Sequence, residues 1–228
     1  MYLMGLNLSN SQIARELGLY ISSAQKMTAR IRREVQRKSP ENMLSGVIEM
    51  DEVYVIAGYK GRADLERRRG RKGRRNRLRG ARGRGTLARE KPPIFGMIQR
   101  HGKLVMKVLP NVKQSTIEPI IERLVEKESV VYTDEYDIYS HLSRLGYIHS
   151  TVCHSRGEYA RDDDGDGIRE VHVNSIEGVW SLLRSWLRPH RGISQGKLPA
   201  YVAFFQFIYN SRARGTSLLP SLLSLLLA

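Results

Sequence analysis

The sequence predicts an α/β fold, a mixed β-sheet flanked by helices, preceded by a small N-terminal helical unit. Three observations predict it. Apolar residues recur at helical spacing up to about residue 35, and from Ser45 the pattern changes to short β-branched runs. Beyond that point strand-like and helix-like segments follow one another. A length of 228 residues suits one sizeable core with a small appendage.

Residues 9–35, SNSQIARELGLYISSAQKMTARIRREV, read as two helices around a tight turn. Ser9 or Asn10 caps the first, and Ile13, Ala14 and Leu17 form its apolar face. Gly18 supplies the left-handed residue the turn needs. Ile21, Ala24, Met27, Ile31 and Val35 form a stripe on the second helix. This is a helix-turn-helix pattern, with Ser22, Ser23, Gln25 and Lys26 at the groove-facing end of a recognition helix. Residues 1–8 are too few for a preceding third helix.

VIEMDEVYVIAG then reads as a strand, and PIFGMIQR with KLVMKVLP as a hairpin turning at Arg100, His101 and Gly102. STIEPIIERLVEKE is a helix with a serine N-cap, SVVYTDE a short buried strand, DIYSHLSRLG a helix and YIHSTVCH a strand. NSIEGVWSLLRSWL and KLPAYVAFFQFIYNSRAR are the closing helices. The expected organisation is a DNA-binding segment over 1–44, an α/β domain over 45–215 with an insertion at 58–91, and a tail over 216–228.

Charge is unevenly spread. Lys and Arg number 38 against 23 Asp and Glu, a formal +15. Residues 58–91 hold fifteen of those bases, three acids and seven glycines. With so little apolar surface to offset its ordering entropy, this segment is expected to be a mobile arm on a polyanion. Its Lys60, Arg67, Arg68, Arg69, Arg71, Lys72, Arg74 and Arg75 are candidate phosphate contacts. The single cysteine, Cys153, excludes a disulfide framework and any zinc site needing two thiolates from one chain. Residues 217–228 are too short an apolar run to span a bilayer, and the N-terminus lacks the charged and apolar regions of a secretory signal. A cytoplasmic, nucleoid-associated protein without a membrane partner is expected.

Three carboxylates stand in a telling order. Asp51 lies inside a buried strand, where an acid is costly unless paired or bound to a metal. Asp134 ends the VVYTD strand, where open α/β sheets deliver ligands to a crevice. Glu177 lies in the first turn of a helix, where Asn174 and Glu177 also have capping-box spacing. Asp137 reads as a helix cap. Asp162, Asp164, Asp166, Gly167 and Glu170 match the start of a calcium loop, but Val173 stands where its last ligand belongs, so a solvated acidic turn is expected. His154 and His172 are further candidates to line the site, and Trp180, Leu183, Trp186 and Leu187 read as a core face. Strand acid, strand-end acid and helix acid, in that order, form the layout of an RNase H-like two-metal site.

The blocks MDEVYVIAGYKG, VVYTDEYDIY, HVNSIEGVWSLLRSWL and FFQFIYNSR resemble the DDE transposases of bacterial insertion sequences, in the group allied to Merlin elements. The resemblance spans residues 9–215, and HVNSIEGVW is its most specific part. It implies an RNase H-like core with Asp51, Asp134 and Glu177 as catalytic, metal-binding acids, or Asn174 as the alternative third residue. It also implies Arg184 as a contact to the DNA end, two Mg²⁺ ions with Mn²⁺ able to substitute, and a homodimer or larger assembly on DNA. The implied activity is cleavage of element ends and transfer of the 3′-OH into target DNA. The alternatives are an inactive or domesticated DNA-binding remnant and an RNase H-like nuclease without strand transfer. Members of the family carry a zinc ribbon ahead of the helix-turn-helix; this chain lacks its cysteines, and a truncated frame is expected.

Overall fold

A computed structural model describes residues 1–59, 90–153, 157–158, 160–163, 165–167, 169–213 and 217–227. Residues 60–89, most of the expected basic arm, lie outside the described residues. Helices α1 (Tyr2–Gly5), α2 (Asn10–Glu16) and α3 (Ile21–Lys38) precede β1 (Val47–Tyr54) and the short β2 (Ala57–Gly58). The hairpin β3 (Pro93–Gln99) and β4 (Leu104–Val108) is followed by α4 (Gln114–Leu124), β5 (Val130–Asp134) and β6 (Ile148–Val152). The antiparallel pair β7 (Ala160–Arg161) and β8 (Val171–His172) leads into α5 (Asn174–Leu187). The chain continues through β9 (Ile193–Ser194), α6 (Leu198–Ala213) and α7 (Leu218–Leu227).

The central sheet runs β4-β3-β1-β5-β6. β1, β3 and β4 pair antiparallel, and β5 and β6 continue parallel to β1. That order and those directions are the RNase H-like fold, as the sequence predicts. Alternation along β1 separates two faces. Ile48 and Met50 bury against α4 through Ile117 and Ile121, with Tyr139 and Leu142 in the same cluster. Val53 joins the other layer, where Ile176, Val179, Trp180 and Leu183 of α5 pack with Phe204 and Phe205 of α6. Each such fully buried side chain contributes roughly 1.5–3 kcal/mol. The outer edge of β4 is closed by side chains of α6. Leu104 N donates to Asn210 Oδ1 (2.8 Å), Asn210 Nδ2 returns a bond to Leu104 O (2.9 Å), and Met106 N donates to Gln206 Oε1 (2.7 Å). An otherwise unpaired strand edge is thereby satisfied.

The N-terminal unit has the expected turn. Ser9 and Gln12 form a capping box at the start of α2, and Gly18 sits at φ +61°. Thr28 Oγ1 donates to Asn10 Oδ1 at 2.9 Å, tying α3 to α2. Two predicted apolar positions are corrected: Leu17 and Ile21 flank the turn and are 50% and 52% exposed. Buried instead are Thr28 and Arg32, the latter 2% exposed with its guanidinium 4.1 Å from the centre of the Tyr201 ring of α6. Nor does the unit lack helical cover. α1 is a single turn, and α7, inside the segment expected as a tail, buries Leu222 in the apolar cluster that also holds Met4, Ala24 and Val35. Lys38 Nζ donates to Leu226 O at 2.9 Å.

Three local expectations differ. DIYSHLSRLG forms two 3₁₀ turns, Asp137–Tyr139 and Leu142–Leu145, and no α-helix. Its Asp, Ser and His are weak helix formers, and Gly146 at φ +88° ends the second turn. Asp137 is the first residue of a turn whose N-cap position is Tyr136. α4 starts one residue ahead of the predicted serine cap, with Lys113 in that position and no side-chain cap. No described helix is long and apolar enough to cross a membrane.

Candidate active site

Register brings the first two acids level. β1 and β5 pair Val47 with Val130 and Glu49 with Tyr132; two residues further, Asp51 stands beside Asp134. Alternation puts both on the face covered by α5. Asp51 accepts from Trp180 Nε1 at 2.7 Å. Across the antiparallel pair its partner is Gly96, where a Cβ would lie 2.3 Å from the Trp180 ring. Glycine there is the space that lets the indole lie against the sheet and reach the carboxylate. Asp134 Oδ1 accepts from Tyr136 N at 3.2 Å.

The carboxyl of Asp51 is pushed up to about 6, chiefly by burial and further by the negative charges of Asp134 and Glu177. Hydrogen bonds from Trp180 and the Glu52 backbone oppose the rise. Strand, strand end and helix therefore contribute acids to one electrostatic environment. Among the described residues, carboxylates whose oxygens all lie within 4.8 Å of one another are Asp162, Asp166 and Glu170, so the Asp51 group is the more open. An all-oxygen donor set suits a hard divalent cation such as Mg²⁺, and an acid whose charge is disfavoured by burial and by acidic neighbours gains from such a cation. The three acids fit the group the resemblance implies.

The start of α5 corrects the capping-box expectation. Val173 occupies the N-cap position and has no side-chain acceptor, while Asn174 and Glu177 are exposed. The cap comes from another element. Glu49 of β1, fully buried, accepts at Oε2 from Ser175 N (2.8 Å) and Ile176 N (3.1 Å). Its Oε1 accepts from Ser175 Oγ (2.8 Å) and Arg100 Nε (2.8 Å). Arg100 Nη2 also donates to His172 Nδ1 (3.0 Å) and His172 O (3.1 Å). His172 Nδ1 is an acceptor from Arg100 and from Asn174 N (3.3 Å), and burial beside Arg100 lowers the imidazole pKa. His172 is thus a neutral member of this network. Sequence reading missed Glu49, Arg100 and the polar role of Trp180. The signal for Glu49 was present: it shares a strand face with Asp51, and a buried acid there needs donors as much as Asp51 does.

The remaining candidates are dispersed. Arg184 is exposed on α5, two turns beyond Glu177. Ser22, Gln25 and Lys26 are exposed at the start of α3. Lys60, Arg67, Arg68, Arg69, Arg71, Lys72, Arg74, Arg75, His154 and Asp164 lie outside the described residues. In the acidic loop, Asp162 accepts from Gly165 N (2.6 Å) and Gly167 N (2.9 Å), and Glu170 accepts from Asp163 N (2.9 Å). The turn is more ordered by its own backbone than a merely solvated one.

Residues 43–210 match the ISXO2-like transposase domain family. The chain is 34% identical over 206 residues to an uncharacterized protein in transposable element ISH50 of Halobacterium salinarum, covering 88% of this chain and 64% of that protein. It therefore spans less than two thirds of that relative's length. It is 27% identical over 109 residues to an uncharacterized transposase-like protein of Haemophilus influenzae, covering 48% of this chain and 82% of that one. A chain of a simian T-cell lymphotropic virus intasome, solved in complex with PP2A regulatory subunit B56 gamma, aligns with a TM-score of 0.37 at 12% identity. That alignment covers 72% of this chain and 49% of the other.

Proposed function

The chain belongs to the ISXO2-like transposase domain family, and from that premise we propose that it cuts DNA at the ends of an insertion sequence and joins the freed 3′-OH to target DNA. Asp51, Asp134 and Glu177 would hold the divalent cations, two Mg²⁺ with Mn²⁺ able to substitute, and Asn174 is the alternative third ligand. When bound there, the cations supply charge neutralisation at the phosphate and a more acidic attacking hydroxyl. The side chains do the positioning. Trp180 holds the Asp51 carboxylate in one orientation, and Gly96 leaves room for it to do so.

The first reaction forms a bond from water oxygen to phosphorus and breaks the phosphorus–O3′ bond, releasing a 3′-OH and a 5′-phosphate. In the second, that 3′ oxygen bonds to a target phosphorus and the target's own 3′ oxygen leaves with the proton. The count of phosphodiester bonds is conserved in transfer, so no covalent protein intermediate is needed. Arg184 on α5 would contact the DNA end. Residues 1–44 would bind DNA through Ser22, Gln25 and Lys26, and the bases at 60–75 would neutralise phosphates along it. Pairing of two ends by a homodimer or larger assembly completes the reading.

The observation that carries it is the β1–β5 register that sets Asp51 level with Asp134, on the sheet face where Trp180 of α5 bonds to Asp51. The test is cleavage and strand transfer on duplexes bearing the element's ends, with Mg²⁺ or Mn²⁺. Asp51→Asn and Asp134→Asn should abolish both steps while DNA binding persists. Comparing Glu177→Gln with Asn174→Ala identifies the third ligand. Cutting without joining favours the nuclease alternative, and binding without cutting favours the remnant.

A further inference from the structure

Glu49 has no place in the proposed chemistry, yet it is the most heavily bonded carboxylate among the described hydrogen bonds of the sheet. It lies two residues before Asp51 on the same strand face, and its two oxygens accept four hydrogen bonds: from Ser175 N at 2.8 Å, Ser175 Oγ at 2.8 Å, Ile176 N at 3.1 Å and Arg100 Nε at 2.8 Å. A helix start needs acceptors for its first N–H groups and favours a negative charge there. In α5 the N-cap residue Val173 provides no acceptor, and Glu49 fills that role from the neighbouring strand.

The geometric consequence is specific. The two backbone N–H groups held by Glu49 belong to Ser175 and Ile176, which lie between Asn174 and Glu177 in sequence. Whichever of those two supplies the third ligand, its height above Asp51 is set by a bond from the very strand that carries Asp51. We propose that Glu49 is a positioning residue, a cap supplied by a distant strand of the same chain that locks the start of α5 to β1 and so sets the spacing between Asp51 and the third ligand. Arg100 supports it by pairing the charge and by bonding to His172 O, just ahead of α5. The inference rests on the proposed role of Asp51, but its structural half can be measured without it.

The test uses the full chain, labelled with ¹⁵N at its two tryptophans, Trp180 and Trp186. The indole N–H of Trp180 reports the seat of α5 on β1 because it bonds to Asp51. In Glu49→Gln, which keeps the shape and removes the charge, the Trp180 indole resonance should shift or broaden while that of Trp186 holds. Mn²⁺ affinity, measured by calorimetry on DNA-free protein, should fall about 10- to 100-fold, as for loss of a residue that orients a metal ligand. Glu49→Asp, retaining the carboxylate, should recover part of both. An unmoved Trp180 signal with wild-type Mn²⁺ affinity in a folded Glu49→Gln protein overturns the proposal. Should Glu49→Gln fail to fold, Glu49→Asp serves in its place, because the shorter side chain cannot reach both helix N–H groups as Glu49 does; a Trp180 signal and an Mn²⁺ affinity both equal to wild type would overturn the proposal. If wild-type protein binds Mn²⁺ no better than Asp51→Asn, the metal reading of Asp51 fails, and the indole signal alone still judges whether Glu49 seats α5.

Discussion

Glu49 and Asp51 are two carboxylates on one strand face, two residues apart, with opposite fates. Glu49 is fully buried and met by a guanidinium, a hydroxyl and two helix N–H groups. Asp51 is half-buried, has one indole and one backbone donor, and faces two further acids. Burial raises the cost of both charges, but only one is balanced by its surroundings. The balanced acid fastens strand to helix. The unbalanced one is the acid proposed above to hold a cation. An acid in a buried strand is thus no sign of chemistry by itself; what distinguishes a site is donors left short beside like charge.

The largest test of this contrast is Glu49→Ala. It strands Arg100 and leaves the first N–H groups of α5 without acceptors, and should cost about 3–5 kcal/mol in denaturant unfolding. A loss under 1 kcal/mol would mean that water serves those groups equally well.

Asp51→Asn should do the reverse. An acid whose carboxyl is raised from 3.8 to about 6 binds its proton more tightly in the folded state. Its contribution to stability is fully present below about pH 4, falls as pH rises towards 6, and above that stays as a penalty of about 2–3 kcal/mol. With divalent ions chelated, Asp51→Asn should therefore be more stable than wild type at pH 7.5 and lose that advantage near pH 4. Paired melts at the two pH values read it, and an equal difference at both would refute the assignment.

Gly96→Ala comes next. A methyl 2.3 Å from the Trp180 ring must push the indole off the sheet, which should cost about 1–3 kcal/mol and impair Mn²⁺ binding as well. Trp180→Phe is the mildest, about 1 kcal/mol for a lost hydrogen bond. Because the indole bond holds the Asp51 carboxyl down, its removal should move the titration midpoint above about 6, measurable by ¹³C NMR in chelator. A midpoint that falls would show the bond to be misassigned.

Sequence reading reached the alternation that names strands, the apolar spacing of α3 and α5, the capping serine of α2 and the glycine of its turn. Each of these is a local property, legible from neighbours within a few residues. It failed at the start of α5, where the spacing of Asn174 and Glu177 imitates a capping box. Local chemistry offered an acceptor three residues away, while the chain used one more than a hundred residues back. It failed likewise at Arg32, a charged residue inside an apolar helix face, because the ring of Tyr201 that receives it lies on a different helix.

By itself, then, the order of residues determined the order of elements and the two faces of β1, and it marked the acids as candidates. Side-chain periodicity and charge are written into the chain one position at a time. Only the tertiary structure decided that Asp51 and Asp134 stand level, that Glu49 caps α5 and that Gly96 makes way for Trp180. Those outcomes depend on strand register and on how a helix seats on a sheet, and both are fixed by contacts between segments distant in sequence.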